Sequence, residues 1–238
     1  MVPETPMGRQ MRKNRNPAKP FFLKWSRDNK KLAKTTGMGV YNIVGFGIPA
    51  DHDFQHNGET SNTCPGALAC KAVCFAKQGA YNWKKVRAAR KHNLDLSLMA
   101  DFANMVVSDL RRMRKVNTIR IHDSGDFYNQ EYYNKWCSIA RMLPDITFYA
   151  YTKTVNMDLF RNKPDNLQIT QSLGGKHDNL VNLNRPHSRI FATHDDRIAA
   201  GYKNGESSDA LAIEGVVQIG LVYHGNKKLT ESQKRYFA

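Results

Sequence analysis

The feature that most constrains this chain is the recurrence of short apolar runs, each followed by a longer polar or helix-like connection. Six such runs read as strands: residues 40–48, 118–122, 146–151, 167–170, 189–193 and 216–222. Between them, apolar residues recur at helical spacing. Val86, Leu94, Leu98, Phe102, Met105, Val106 and Leu110 mark one long helix or two, and residues 130–142 mark another. Residues 157–161, 197–202 and 230–237 read as further helical segments. Short strands separated by long connections predict a parallel sheet of βα units. Six units suit a partial (β/α)6 barrel in an α/β chain, with a doubly wound open sheet as the competing arrangement.

Ahead of the first strand, residues 1–36 carry Pro3, Pro6, Pro17 and Pro20 with ten lysines and arginines between Arg9 and Lys34, and show no sustained period. They read as a basic N-terminal arm, docked through Phe21, Phe22 and Trp25, on an α/β domain spanning 37–238. The chain as a whole carries a net charge of +15. That excess favours contact with a nucleic acid by counterion release, although a solvated basic surface would look the same. No run approaches the ~18 apolar residues of a membrane span, so no membrane association is expected and the chain reads as cytoplasmic.

In parallel βα folds, sites assemble where strands end. After the second strand come His122, Asp123, Ser124, Gly125 and Asp126; after the third, Thr152 and Lys153; after the fourth, Gln171 and Ser172. The fifth ends in Thr193, His194, Asp195 and Asp196, and the sixth in Tyr223, His224 and Gly225. Plainer accounts exist: the aspartates as helix caps, and His122 and His194 as buried, hydrogen-bonded histidines. A lysine closing an aromatic strand, as Lys153 does, reaches for an anion or a carboxylate.

The loop after the first strand carries Cys64, Cys70 and Cys74 within eleven residues, while Cys137 stands far away beside Trp136. Clustered thiols in a cytosolic chain point to metal ligation before a disulfide framework. Thiolate is the soft ligand selected by iron–sulfur clusters and zinc. A structural zinc site would want a second ligand pair, whereas a lone triplet suits a [4Fe–4S] cluster with one open iron. Cys137, His52 and His56 are the rival fourth ligands, and Cys137 also reads as a small core residue.

A three-cysteine loop after the first strand of a partial barrel, with Phe75 beside the last cysteine, resembles the radical S-adenosylmethionine superfamily. The common spacing there is Cys-x3-Cys-x2-Cys, where this chain has Cys-x5-Cys-x3-Cys. The resemblance implies S-adenosylmethionine on the open iron, with Asp123, Ser124, Gly125 and Asp126 near its amino group. Lys153, Gln171 and His194 then complete a cofactor-binding set. A closer likeness is to a group of bacteriophage proteins, the gene-product-eighty-eight family. Its strings are matched here by the cysteine loop (Phe75 standing for a tyrosine), by Arg-Ile-His-Asp-Ser-Gly-Asp-Phe-Tyr from Arg120 to Tyr128, and by Tyr-Ala-Tyr-Thr-Lys from Tyr149 to Lys153. That likeness implies a phage protein in the host cytoplasm and says little of a reaction. Three functions follow as expectations: a radical-type enzyme cleaving S-adenosylmethionine and acting on an anionic or nucleic-acid substrate; a non-catalytic iron–sulfur protein that binds a nucleic acid or a host protein; and a zinc-stabilised DNA-binding module.

Overall fold

The computed structural model describes residues 20–27, 29–68 and 70–223. The expected tail helix at 230–237, His224 and Gly225 lie outside the described residues, as does the arm before Pro20.

Seven strands form one sheet in which every neighbouring pair is parallel: β1 (Ile43–Phe46), β4 (Thr118–Ile121), β5 (Thr147–Thr152), β6 (Leu167–Ser172), β7 (His187–Phe191) and β9 (Gln218–Val222), with the two-residue β8 (Lys203–Asn204) at the far edge. The six expected strands are all present and lie side by side in chain order. The added β8 comes before β9 in the chain and outside it in space. Among the six main strands, β6 and β7 share the fewest register pairs, Gln171↔His187 and Ser172↔Ser188.

Strand alternation assigns the two faces. Ile119 and Ile121 of β4, Phe148 and Ala150 of β5, and Leu167 and Ile169 of β6 join the main core. They pack there with α4 (Phe102–Arg112) and α5 (Gln130–Met142), through Val106, Leu110, Trp136 and Ile139. Tyr149 and Ile219 point the other way, into a second cluster with Leu32 of α1 (Lys30–Thr36) and Ala212 and Ile213 of α7 (Ala210–Ile213). Gly220, on the opposite side of β9 from Ile219, lies against Arg197 of α6 (His194–Ala199). Helices α4, α5 and α6 therefore cover one face, and α1 and α7 the other.

The long loop after β1 is more ordered than the sequence suggests. It contains an antiparallel hairpin, β2 (Asp53–His56) and β3 (Glu59–Asn62), and the single turn α2 (Cys70–Val73). Asn57 and Gly58 both have positive φ, 52° and 81°, as a tight two-residue hairpin turn requires. The expected long helix is two, α3 (Lys84–Ser97) and α4. The helix expected at 157–161 is absent. Asp158 instead bonds Gln130 through its backbone, and its Oδ1 accepts from Arg161 N, so side chains take the bonds a helix would use. α6 starts earlier than expected because Thr193 Oγ1 accepts from Asp196 N and caps it.

Part of the expected arm belongs to the domain. Phe22 N and Leu23 N donate to Asp109 (3.0 and 2.8 Å), as does Trp25 Nε1, while Asn93 brackets Lys24. Ser26 pairs with Gly45, covering the free edge of β1. No described helix is long and apolar enough to cross a membrane.

Candidate functional site

Because every strand pair is parallel, the carboxyl ends of β1, β4, β5 and β6 share one rim. The end of β4 is a knot of internal bonds. His122 takes a left-handed backbone (φ 64°), and its Nε2 pairs with Tyr132 Oη at 3.0 Å. Burial, with Arg120 nearby, pushes its pKa down to about 3. Asp123 receives Arg90 Nη2 of α3 at 3.1 and 3.2 Å, in space that a Cβ on Gly47 would fill. Ser124 Oγ donates to Ile48 O, and a Cβ on Gly125 would strike the Ile48 side chain. Asp126 accepts from Phe127 N (2.7 Å) and Lys153 N (2.8 Å), with Thr152 as a third partner. Burial raises the carboxyl pKa of both aspartates, against the pull of these donors. Asp123, Ser124, Gly125 and Asp126 are thus brought together on the rim, and each is committed to the protein itself.

The thiol loop lies against this knot. Asp126 N donates to Thr63 O, next to Cys64. Gly66 packs on the Lys153 backbone so closely that a Cβ would come 2.1 Å from Lys153 O, and Ala67 bridges to Gly175. The loop is therefore stitched to the ends of β4, β5 and β6. Cys64, Cys70 and Cys74 are all half-buried and free of disulfides. Burial pushes the Cys64 thiol up to about 12, assisted by Asp126, Cys74 and Cys70. Burial also raises Cys74, with Cys70 adding to it. The three sulfurs thus feel one another's charge.

Backbone donors aim at two of them: Asp51 N lies 3.3 Å from Cys64 Sγ, and the amides of Ala76 and Lys77 favour the Cys74 thiolate. Cations surround the loop. Lys71 and Lys77 both reach Asp51 at 2.7 Å; burial works against its ionisation, but these two bonds outweigh it and hold the carboxyl at about 2. Burial lowers the Lys153 pKa, while Cys70, Asp126, Asp178 and Cys64 pull it back. Lys153 Nζ donates to Leu173 O at 2.5 Å.

Among the described residues, no three His, Cys, Asp or Glu side chains converge where they would grip a single metal ion. Cys137 lies buried in α5, beside Tyr133, and lines a separate cavity of about 370 Å³. The remaining expected residues are tied down elsewhere. The Gln171 side chain exchanges two bonds with the Asn182 backbone, and exposed His194 faces Glu206 at 3.4 Å. Four further residues support the rim and the sheet face beneath α1: Arg90, Asp51, Asp178, whose carboxylate takes the amides of Gly174 and Gly175, and Asp209. A glycine pair followed by an aspartate was the available hint for Asp178.

Asp209 anchors the face beneath α1. Fully buried, it meets Lys31 Nζ and Arg120 Nη1, each at 2.8 Å, and Tyr149 Oη at 2.9 Å. Burial opposes its ionisation, yet Arg120 and Lys31 hold its pKa below the usual carboxylate value.

A family model described as Gene product 88 matches residues 23–234. The "Gene 88 protein" of Mycobacterium phage L5 is 29% identical over 218 residues, 81% of this chain and 87% of that protein. No solved structure matches. The chain belongs to the gene product 88 family.

Proposed function

We propose that this member of a phage protein family carries a [4Fe–4S] cluster on Cys64, Cys70 and Cys74, as a binding protein and not a radical enzyme. The observation that carries the reading is the set of backbone N–H groups presented to Cys64 and Cys74. Such donors stabilise thiolates and tune cluster potentials. Lys153 adds a counter-charge beside Cys70 and Cys64. Three clustered thiols without a second ligand pair suit a cluster with one open iron better than a structural zinc site, which takes four ligands. The six main strands run in chain order, as in a partial (β/α)6 barrel wall, but α1 and α7 on the second face favour the open sheet.

The enzyme reading asks more of the molecule. With S-adenosylmethionine bound, the cluster would supply the electron that cleaves the sulfonium. The Asp123–Asp126 stretch would first have to release Arg90, Ile48, Lys153 and Phe127. Helices α1 and α7 also fill the sheet face opposite α4 and α5. These two observations favour the non-catalytic reading.

The test is metal and sulfide content of protein purified without oxygen, with electron paramagnetic resonance of the reduced form. Four irons and a spectrum indifferent to S-adenosylmethionine are expected. A spectrum that shifts on adding it would restore the enzyme, and zinc or no metal would overturn the cluster.

A further inference from the structure

Immediately after Cys74 the chain forms a ridge whose chemistry is unrelated to ligation. Phe75 and Trp83 are exposed, at 59% and 67% of their surface, within nine residues. Two short 3-10 turns, Phe75–Lys77 and Gly79–Asn82, link them. The turns are fixed by Gln78 N to Phe75 O, Asn82 Nδ2 to Lys77 O and Trp83 N to Ala80 O. The Phe75 ring meets the Tyr81 ring edge-on at 5.7 Å, and Arg90 stacks on Tyr81 at 4.4 Å. The turns thus fix the backbone on which both aromatics stand, and Tyr81 backs the Phe75 ring.

Helix α3 continues from Trp83 and carries Lys84, Lys85, Arg87, Arg90 and Lys91. Among the described residues, Arg90 pairs with Asp123 and Lys91 with Asp95, whereas Lys84, Lys85 and Arg87 enter no ion pair. At 3.6 residues per turn, Lys84 and Arg87 share one side of the helix, and Trp83 stands at its N-cap. An exposed tryptophan one turn from unpaired cations matches two demands at once. Bases stack on aromatic faces, and phosphates draw the cations. A duplex hides its base faces, so only an unpaired strand uses both.

We propose that the ridge from Phe75 to Arg87 binds single-stranded nucleic acid, with Trp83 and Phe75 as stacking platforms and Lys84 and Arg87 as phosphate contacts. This inference stands apart from the cluster reading, because none of these four residues is a proposed ligand and binding is read without reference to metal.

The test is fluorescence anisotropy of a labelled oligothymidylate with the full chain across a salt series. Trp83→Ala should weaken binding about 10-fold, the order expected for one lost base stack, and Trp83→Phe should recover most of it. Replacing Lys84 and Arg87 together by Ala should lower the salt slope by about 1.4, at ~0.7 per phosphate contact on a single strand. Circular dichroism melts confirm folding of these exposed variants. Unchanged affinity in Trp83→Ala together with an unchanged slope in the double variant would overturn the proposal. So would a matching duplex binding as tightly as the single strand, or a polyglutamate peptide binding where the oligonucleotide does not.

Discussion

Two neighbouring stretches look equally polar and equally functional in the sequence, residues 120–126 at the end of β4 and residues 64–83 in the thiol loop. The first spends its polar groups inward. Arg120 goes to Asp209, His122 to Tyr132, Asp123 to Arg90, and Asp126 to two backbone amides. The second leaves three thiols free of disulfides and two aromatic rings in solvent. The lesson is that the more distinctive string, Arg120–Tyr128, holds the rim together, while the looser one beside it is where chemistry or a partner has room. Distinctiveness of sequence and availability to a ligand are different properties.

Breaking the first stretch should cost stability; breaking the second should not. The largest effect is expected of Asp209→Ala, which removes the buried partner of Arg120, leaves Arg120 and Lys31 unpaired in a largely buried setting, and should lower unfolding free energy by about 3 kcal/mol in urea titrations. Asp126→Ala should follow at about 2–3 kcal/mol, because the amides of Phe127 and Lys153 lose their acceptor. A pH-dependent effect, modest between pH 7 and 5, belongs to His122. Its folded pKa is depressed to about 3 from 6.5, so below pH 6.5 the unfolded chain binds a proton that the folded chain refuses. Stability from this group is complete above pH 6.5 and declines as pH falls toward 3, by up to about 1.4 kcal/mol per pH unit. His122→Asn, which tolerates the same left-handed backbone, should be flatter than the parent between pH 7 and 5; equal slopes would remove His122 from the account. Smallest of all, Cys64→Ala should shift the stability of metal-free protein by less than about 1 kcal/mol. A loss as large as that of Asp126→Ala would erase the contrast between the two stretches.

The alternation of strands and connections was legible because strand periodicity is local: all six expected strands occur, and the cysteine loop follows the first of them. Asn57-Gly58 is likewise a local hairpin signal, set among polar residues that dilute it. Other features depend on partners far along the chain. Nothing in residues 157–161 announces that Gln130 will take their backbone bonds. No glycine or proline marks the break between α3 and α4. On the rim, sequence could place residues 122–126 after a strand, but not say that Arg90 and Lys153 would already occupy them. The inward or outward sense of a carboxylate is a tertiary fact.

The contact between α1 and Asp209 has a consequence for how the chain is made. Thr35 Oγ1 accepts from Asp209 N across 174 residues, and Lys31 reaches the same side chain. Contacts of such separation close late, after the entropy of a very long loop has been overcome. During vectorial synthesis α1 therefore has no Asp209 to dock on until the 174 residues that separate it from Thr35 have been added. Its basic segment spends the intervening seconds as nascent chain, and any acidic chaperone or nucleic acid present at that moment meets it before Asp209 does.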